Sequence, residues 1–562
     1  MYIKELRIFG FKRFNSFKIR LAEGMNVIVG DNDSGKSTVL EALVALTNGQ
    51  YRGAPLSRCL SESLFNVNVV KTYVENVRAG TPCSPPVITI EAVFGGDEDV
   101  VALYMGDSNT SKTKESGITL HIALDSDSYS EEYQKYLESK ACYGVPIEYY
   151  ACTWTSFARK VLRPATIKYR STLIGSANSS YWPGSRAYVS RIARDVLDEG
   201  DQISISQIHR RMRENFSNDE TVVKINEKIS TSTKSLTRES VSFGFEAGTL
   251  DSWETGIVTM LGGTSFSNVG DGTKSIVCTE LALSKSEDLG KDIVLLEEPE
   301  NHLSHTKLNM FLDGIKGRCS STQLVVTTHS SFVANKLELR NLILLNGDSS
   351  ASLSALAPDT SRFFMKAPGY KTLRALLCKV AMFVEGDADE LIVQKAYMDA
   401  HDAKLPIQNG IDVISVGTSF LRFLEMAKAI GRPAIALTDN DGDIEVLKKK
   451  YASYDHVSHI AGDGECCQVV SYPERLLPDG EEENVNYNTL ESEVYQSADK
   501  EILKIILERE VSNRDAAIKY MESNKTETAL KIFDSELSID YPPYIVEAID
   551  WADGQAGVLE DV

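Results

Sequence analysis

What most constrains this chain is a glycine-bracketed turn set between an apolar strand and a helix. Residues Gly30-Asp31-Asn32-Asp33-Ser34-Gly35-Lys36-Ser37 fit the spacing GxxxxGK[ST], follow the run MNVIV and open the helical run STVLEALVALT. A match to that spacing means little outside a strand–turn–helix setting, and here the setting is present. Such a turn gathers backbone N–H groups from Gly30 through Asn32, Ser34 and Gly35 to Thr38 at a helix N-terminus, where phosphate oxygens are held. Lys36 then neutralises the β- and γ-phosphates, and the Ser37 hydroxyl takes a place on magnesium.

The turn opens a longer strand-and-helix rhythm. Residues 1 to 50 read as two strands, IKELRIFGF and MNVIVG, then the turn and helix, and residues 50 to 150 mix short strand-like runs such as PPVITIEAVF with polar loops. From about 155 to 240 the pattern changes to charged helical segments, RIARDVLDEG and QIHRRMRENF among them, which reads as an insertion. Alternation returns with SIVCTELALS, KDIVLLEEPENHLS and QLVVTTHSSFVANKL, as in a parallel sheet covered on both faces. A second rhythm of that kind starts near 380 with VAMFVEG, DELIVQKAYMDA, IDVISVG and PAIALTDNDGD. The expected divisions are 1–154, 155–240, 241–375 and 376–562, with no tandem repeat and no sustained heptads.

Composition sets the outer bounds. A chain of 562 residues predicts roughly three or four domains. Hydrophobic content of 42% with 25% charged residues is that of a folded protein. The net charge of -21 repels nucleic acid overall, so contact with it needs local basic patches or metal ions. Two such patches are Arg159, Lys160 and Arg163, and Arg210, Arg211 and Arg213; ordinary surface charge has the same appearance. The nine cysteines show no CxxC pair and no zinc-ligand spacing. No signal peptide opens the chain and no run of about 18 apolar residues occurs, so the expectation is a cytoplasmic protein with no membrane span.

The nucleotide site has a second half in DIVLLEEPENHLS, an apolar strand ending in two acids. Glu297 is placed to hold the magnesium and its water shell, and Glu298 to activate an attacking water. Further on, QLVVTTHSS puts His329 just past another apolar strand, in position to sense a γ-phosphate. Taken together, FGFKRF, GDNDSGKST and LLEEPENHL resemble the ABC-type ATPase heads shared by SMC, RecF and OLD (overcoming lysogenization defect) proteins. The resemblance implies ATP and Mg²⁺ as ligands, with Glu297 standing where an aspartate is usual. VGDGTKSIVCTELAL resembles the signature helix that reaches ATP on a second head, through Gly272. Gly270 and Asp271 stand there where a serine and a glycine are usual, which implies slow hydrolysis or ATP acting as a conformational ligand.

A second site is spelled in carboxylates. VAMFVEGDADELIV reads as a strand ending at Glu385, with Asp389 and Glu390 in the first turn of the next helix. ALTDNDGD puts Asp439 and Asp441 at the end of a later strand. Acids from two strand ends bind hard divalent ions, and two ions about 4 Å apart stabilise the attacking and leaving oxygens of a phosphodiester. Alone, each cluster is also what a solvated turn produces. Their order, EGxxD, then VISVGTSF, then DNDGD, resembles the Toprim domain of topoisomerases, primases and OLD nucleases. That resemblance implies that Glu385, Asp389, Asp439 and Asp441 bind Mg²⁺ or Mn²⁺. It also implies catalytic roles for Glu491 in NTLESEVY and for Lys525 in SNKTETALKIF, the lysine stabilising the transition-state phosphate. Ser419, after VGT, reads equally as a phosphate-orienting hydroxyl or a turn residue.

The combined expectation is an α/β protein: an ABC/SMC-like ATPase head with an inserted helical dimerisation region, followed by a C-terminal Toprim domain. The resemblance implies a homodimeric or higher-order endonuclease of the OLD family, cutting DNA and regulated by its head. Similar proteins serve in anti-phage defence, in Gabija and retron systems, beside an operon-encoded helicase or a reverse transcriptase with its RNA. Two alternatives stay open: a non-nucleolytic SMC/RecF-like DNA-binding ATPase, and a nuclease acting on RNA. The first would need long heptad arms, which the chain lacks. A topoisomerase or primase would need a further cleavage domain or zinc cysteines.

Overall fold

The computed structural model describes residues 1–138, 143–175, 199–233, 260–289, 292–301, 303–318, 322–353, 356–366, 369–438, 444–456, 467–470 and 489–558. Two compact units result: one of Met1–Asn26 with Ser37–Thr327, the other of Val27–Lys36 with Thr328–Val562.

The chain starts with β1 (Tyr2–Phe11), β2 (Phe14–Arg20), β3 (Met25–Val29) and α1 (Lys36–Asn48). In the first unit there follow β4 (Ile88–Gly95), β5 (Glu115–Leu124), β6 (Tyr150–Ser156), β7 (Arg170–Ile174), α2 (Glu199–Asn218), α3 (Glu220–Thr233), α4 (Asp271–Leu289), β8 (Asp292–Glu297) and β9 (Gln323–Thr328). An antiparallel sheet runs in the order Val161–Leu162, β6, β5, β4, β1, β2. Along β2 the buried Phe17 and Ile19 alternate with the exposed Lys18 and Arg20, the pattern of a strand with one covered face. A separate parallel ladder joins β7 to β8 and β8 to β9, with Ile174 opposite Leu296 and Leu296 opposite Val326. β8 and β9 carry apolar runs, residues 293–296 and 324–326, buried on both faces as parallel sheets require, whereas β7 is only partly buried.

Gln323 ties the two sheets of this unit together. Its side-chain nitrogen donates to Ile3 O and Ala22 O, both at 2.8 Å, and its oxygen accepts from Ile3 N–H at 2.9 Å and the Tyr169 hydroxyl at 2.7 Å. The helical insertion expected from 155 starts later. Strands Val161–Leu162 and β7 occupy that stretch, and RSTLI, at a sheet edge, is partly buried and opens on a cation, so it carries no clear strand pattern. The described helices of the insertion are α2 and α3, with residues 176–198 and 234–259 outside the described set.

In the second unit β3 pairs in parallel with β10 (Leu342–Asn346). Then come α5 (Gly369–Leu377), β11 (Val380–Val384), α6 (Asp387–Ala400), β12 (Ile411–Ser415), α7 (Phe420–Ala429), β13 (Ala434–Leu437), β14 (Asp455–His456), β15 (Cys467–Val470), α8 (Leu490–Ser497), α9 (Arg514–Ser523), α10 (Lys525–Asp534) and α11 (Pro543–Val558). The last sheet is parallel throughout, in the order β12, β11, β13, β15, β14. VAMFV and AIAL are buried at every residue, and α6 and α11 cover one face through Ile392, Tyr397, Ile545 and Ile549. Among the described residues no helix is long and apolar enough to cross a membrane.

One ionic knot fixes α6 to this sheet. Arg374 on α5 grips Asp412 of β12 with Nε at 3.0 Å and a terminal nitrogen at 2.7 Å, and the same nitrogen reaches Glu390 at 3.0 Å. The other Glu390 oxygen accepts the Ser415 N–H at 3.0 Å. Removing one partner of a buried ionic set leaves the others uncompensated. Arg374→Met is therefore expected to lower unfolding free energy by about 3 kcal/mol, read by urea titration, with Asp412→Asn giving a smaller loss. A loss within measurement error would show that the knot contributes nothing.

Candidate functional site

The glycine-bracketed turn connects β3 to α1. Within the second unit Lys36 folds back on the loop, its Nζ donating to the carbonyls of Gly30 at 2.8 Å and Asp31 at 2.7 Å. Only 6% of Lys36 is exposed, so its ammonium is held by oxygen atoms that phosphate oxygens can replace. Gly30 has no room for a side chain, since a Cβ there would stand 2.5 Å from Ser34 Oγ. Gly35 takes φ +97°, a conformation that favours glycine. Asn32 is exposed, whereas Ser34 and Thr38 are buried.

Ser37 and Glu297 meet inside the first unit, the serine hydroxyl donating to Glu297 Oε1 at 2.5 Å. Burial pushes the Glu297 carboxyl up, the Ser37 hydrogen bond opposes that, and the Glu298 and Glu41 charges push it further up. A hydroxyl and a half-buried carboxylate of this kind are the hard oxygen donors that magnesium takes. Glu298 adopts φ +46°. It is held there by its N–H donating to Thr327 O at 2.9 Å and by Asn301 donating to its Oε2 at 2.8 Å. Residues kept in so unfavourable a conformation cluster at working sites. Gly272 is buried in the first turn of α4, where Lys274 pairs with Asp271 at 2.9 Å. His329 is half-buried between β9 and the helix Ser331–Lys336.

The second cluster forms at one edge of the five-stranded parallel sheet. Phe383 of β11 lies opposite Ala436 of β13, so both strands end side by side, at Val384 and Leu437. Glu385 is exposed just past β11, and Asp389 caps α6 by accepting the Gly386 N–H at 3.0 Å. Asp439 and Asp441, one and three residues after Thr438 in the sequence, lie outside the described residues. The Asp389 carboxyl is pushed up from 3.8 to about 6, by burial first and by the charges of Glu491 and Glu385, against its backbone hydrogen bonds. Glu390, its neighbour, belongs to Arg374 and Ser415 instead.

Glu491 sits in the first turn of α8 with 5% of its surface exposed. Its Oε1 lies 3.3 Å from Nζ of Lys525, the first residue of α10, while its Oε2 is buried with no hydrogen-bond partner among the described residues. The structure thus joins Glu385, Asp389, Glu491 and Lys525 in one field of charge. Glu522, at the end of α9, was not singled out in the sequence. The Thr489 hydroxyl donates to its Oε1 at 3.4 Å, and burial and the Glu491 charge push its carboxyl up. The signal available was an acid three residues before Lys525, which is common on any charged helix. Ser419 precedes α7 and makes no capping hydrogen bond. Arg159 pairs with Asp107 at 3.0 Å, while Lys160, Arg163, Arg210 and Arg211 are exposed.

Among the described residues no three His, Cys, Asp or Glu side chains close into a complete metal cage. Glu385 and Asp389 at the sheet edge and Glu491 on α8, whose Oε2 has no partner among the described residues, are hard oxygen donors, and that donor set fits a divalent cation.

Residues 1–334, more than half of the chain, match the family model described as "AAA ATPase domain". The chain belongs to that family. Residues 376–441 of this ATPase-domain protein also match "Overcoming lysogenization defect protein-like, TOPRIM domain". The chain is therefore a fusion of an ATPase domain with an OLD-like TOPRIM domain. That second match takes in Glu385, Asp389, Asp439 and Asp441 and ends before Glu491 and Lys525. The chain is 42% identical over 43 residues to "DNA replication and repair protein RecF" of Clostridium botulinum (strain Eklund 17B / Type B), covering 8% of this chain and 12% of that protein. It is 40% identical over 58 residues to the RecF protein of Caldanaerobacter subterraneus subsp. tengcongensis, covering 10% and 16%. The matches thus span less than a fifth of those relatives. Solved structures that overlap it include the SMC head domain from Thermotoga maritima, at 18% identity and TM-score 0.28 over 62% of this chain and 97% of that one. A second is the Smc head domain bound to the C-terminal domain of ScpA derived from Pyrococcus furiosus, at 12% identity and TM-score 0.34 over 63% and 97%.

The Asp389 shift has a consequence for stability. Because its folded value of about 6 exceeds the ordinary 3.8, the ionised carboxylate destabilises the fold above pH 6 and the penalty disappears below pH 4. In EDTA, Asp389→Asn is expected to be more stable than the parent at pH 8 by about 3 kcal/mol, with the difference gone at pH 4. Calorimetric melting at the two pH values decides it; equal stability at pH 8 would contradict the crowding of charge.

Proposed function

We propose that this protein is a divalent-metal-dependent endonuclease that cuts DNA phosphodiesters at its TOPRIM edge under the control of ATP bound at the Gly30–Thr38 loop. The observation that carries this reading is the convergence of Glu385, Asp389 and Glu491 beside Lys525. Carboxylates that raise one another's proton affinity are unfavourable together unless cations join them. Glu385 and Asp389, with Asp439 and Asp441, are the residues to hold metal, and divalent ions there supply an activated oxygen nucleophile and stabilise the departing one. Glu491 orients Lys525, whose ammonium faces the charge that develops on the phosphate. The same cations offset the repulsion that a chain of net charge -21 exerts on nucleic acid.

In the ATPase half, Lys36 neutralises phosphate charge, Ser37 and Glu297 hold Mg²⁺, Glu298 activates water and His329 senses the γ-phosphate. Gly272 serves a nucleotide on a second copy. Gly270 in place of the usual serine, beside an Asp271 that pairs with Lys274, favours slow or regulatory hydrolysis. A homodimer or higher assembly is supported by α2, which exposes Ile208, Met212 and Phe216 at four-residue spacing along one stripe. The thiols of Cys59, Cys152, Cys278 and Cys378 suit a reducing cytoplasm. Anti-phage defence, with an operon-encoded partner, is the biological role that the OLD-like match favours.

The test uses purified protein with supercoiled, linear and single-stranded DNA and with RNA, in Mg²⁺ or Mn²⁺, with and without ATP. Cutting of DNA is expected. Glu385→Ala is expected to abolish it, Lys525→Ala to slow it about a hundredfold, and Lys36→Ala to change its dependence on ATP. Cutting by Glu385→Ala at the parent rate would refute the site, and cutting of RNA alone would refute the substrate.

A further inference from the structure

Two neighbouring residues in the first turn of α5 stand beside the acidic edge and hold no metal. Tyr370 is 68% exposed, and the Arg374 guanidinium lies over its ring, 5.6 Å from the centroid. Lys371 is half exposed; its Nζ donates to the Ser415 hydroxyl at 2.8 Å, and that hydroxyl donates to Asp387 Oδ1 at 2.7 Å. We propose that Tyr370 and Lys371 form a binding site for an unpaired nucleotide next to the scissile phosphodiester, with the base stacked on the tyrosine ring and a phosphate on the lysine ammonium. This names the substrate class of the nuclease reading, DNA that is single-stranded or opened beside the cut, and rests on that reading.

The first support is place. Ser415 ends β12 opposite Val384, the residue before Glu385, and Asp387, two residues past Glu385, lies 4.0 Å from the Lys371 ammonium. The ammonium is thus tethered at the strand end that carries the acids, and Ser415, 1% exposed, fixes its direction. The second is charge. Lys525 is engaged by Glu491 on the α8–α10 side, whereas on the β12 side Lys371 has only the long contact with Asp387. Among the described residues one hydrogen bond occupies its ammonium, which leaves N–H groups for a phosphate oxygen. The third is the ring. Asp412 and Glu390 hold Arg374 in place, so Tyr370 rests on a fixed cation while most of it stays open to solvent. An exposed aromatic beside a lysine is how proteins take up single strands, because every unpaired base offers a π-face and every phosphate a charge.

The full-length protein is titrated in Ca²⁺ with a fluorescent single-stranded oligonucleotide and with the same sequence as a blunt duplex, and cutting of each is followed in Mg²⁺. Tyr370→Ala is expected to weaken single-strand binding about tenfold and duplex binding much less. Tyr370→Phe keeps the ring and is expected to keep the affinity, which separates lost stacking from misfolding. Lys371→Gln is expected to weaken single-strand binding and to lower the slope of log affinity against log salt by roughly 0.7. Parent affinity for the single strand in either Tyr370→Ala or Lys371→Gln, with DNA cutting intact, would overturn this site alone, as would equal weakening of duplex and single strand in Tyr370→Ala. A parent that shows the binding pattern and cuts no DNA would refute the nuclease reading and leave the nucleotide site supported.

Discussion

Mutual repulsion among carboxylates at one edge of a parallel sheet is the constraint around which the C-terminal half is organised. Parallel strands all end on the same side, so acids that follow them are delivered to a common place whatever their separation in sequence. Glu385 arrives at the end of β11, and Asp389 is pinned beside it by the Gly386 N–H. The fold must hold these charges against their tendency to part, and it does so with groups that carry no catalytic burden. Arg374 locks Glu390 and Asp412, which fixes the first turn of α6, and the apolar faces of α6 and α11 anchor that helix to the sheet. Two adjacent acids, Asp389 and Glu390, thereby acquire opposite duties.

The nucleotide half applies the same economy with fewer charges. Lys36 is turned inward onto loop carbonyls, and Ser37 meets Glu297 at hydrogen-bonding distance. Burial and the neighbouring Glu298 raise the Glu297 carboxyl, as burial and neighbouring acids raise Asp389. At both places the carboxyl binds its proton more tightly than usual, because burial and like charge disfavour the ionised form. Glu298, in a left-handed conformation held by Thr327 and Asn301, shows the backbone bearing local strain where a carboxylate must keep one direction.

Much of this is legible in the amino-acid sequence, for identifiable reasons. The Gly30–Ser37 turn needs glycine, lysine and serine at set spacing, so it is written locally and reads directly. VAMFV and AIAL are continuous apolar runs, which only a sheet buried on both faces demands, and they placed β11 and β13 correctly. The start of the helical insertion read less well, because β7 is a partly buried edge strand that opens on a cation. Glu522 did not read at all: an acid on a charged helix has no local mark, and its meaning comes from Glu491, which another helix supplies.

The sequence by itself therefore determined the elements whose chemistry is confined to a few consecutive residues: the phosphate loop, the paired acids of LLEEP, and the apolar strands β11 and β13. Only the tertiary structure decided which acids share a field, that Asp389 faces Glu491 while Glu390 faces Arg374, and that Lys525 meets Glu491 across two helices. The physical reason is that electrostatic coupling falls with distance through space, and separation along the chain carries no information about it.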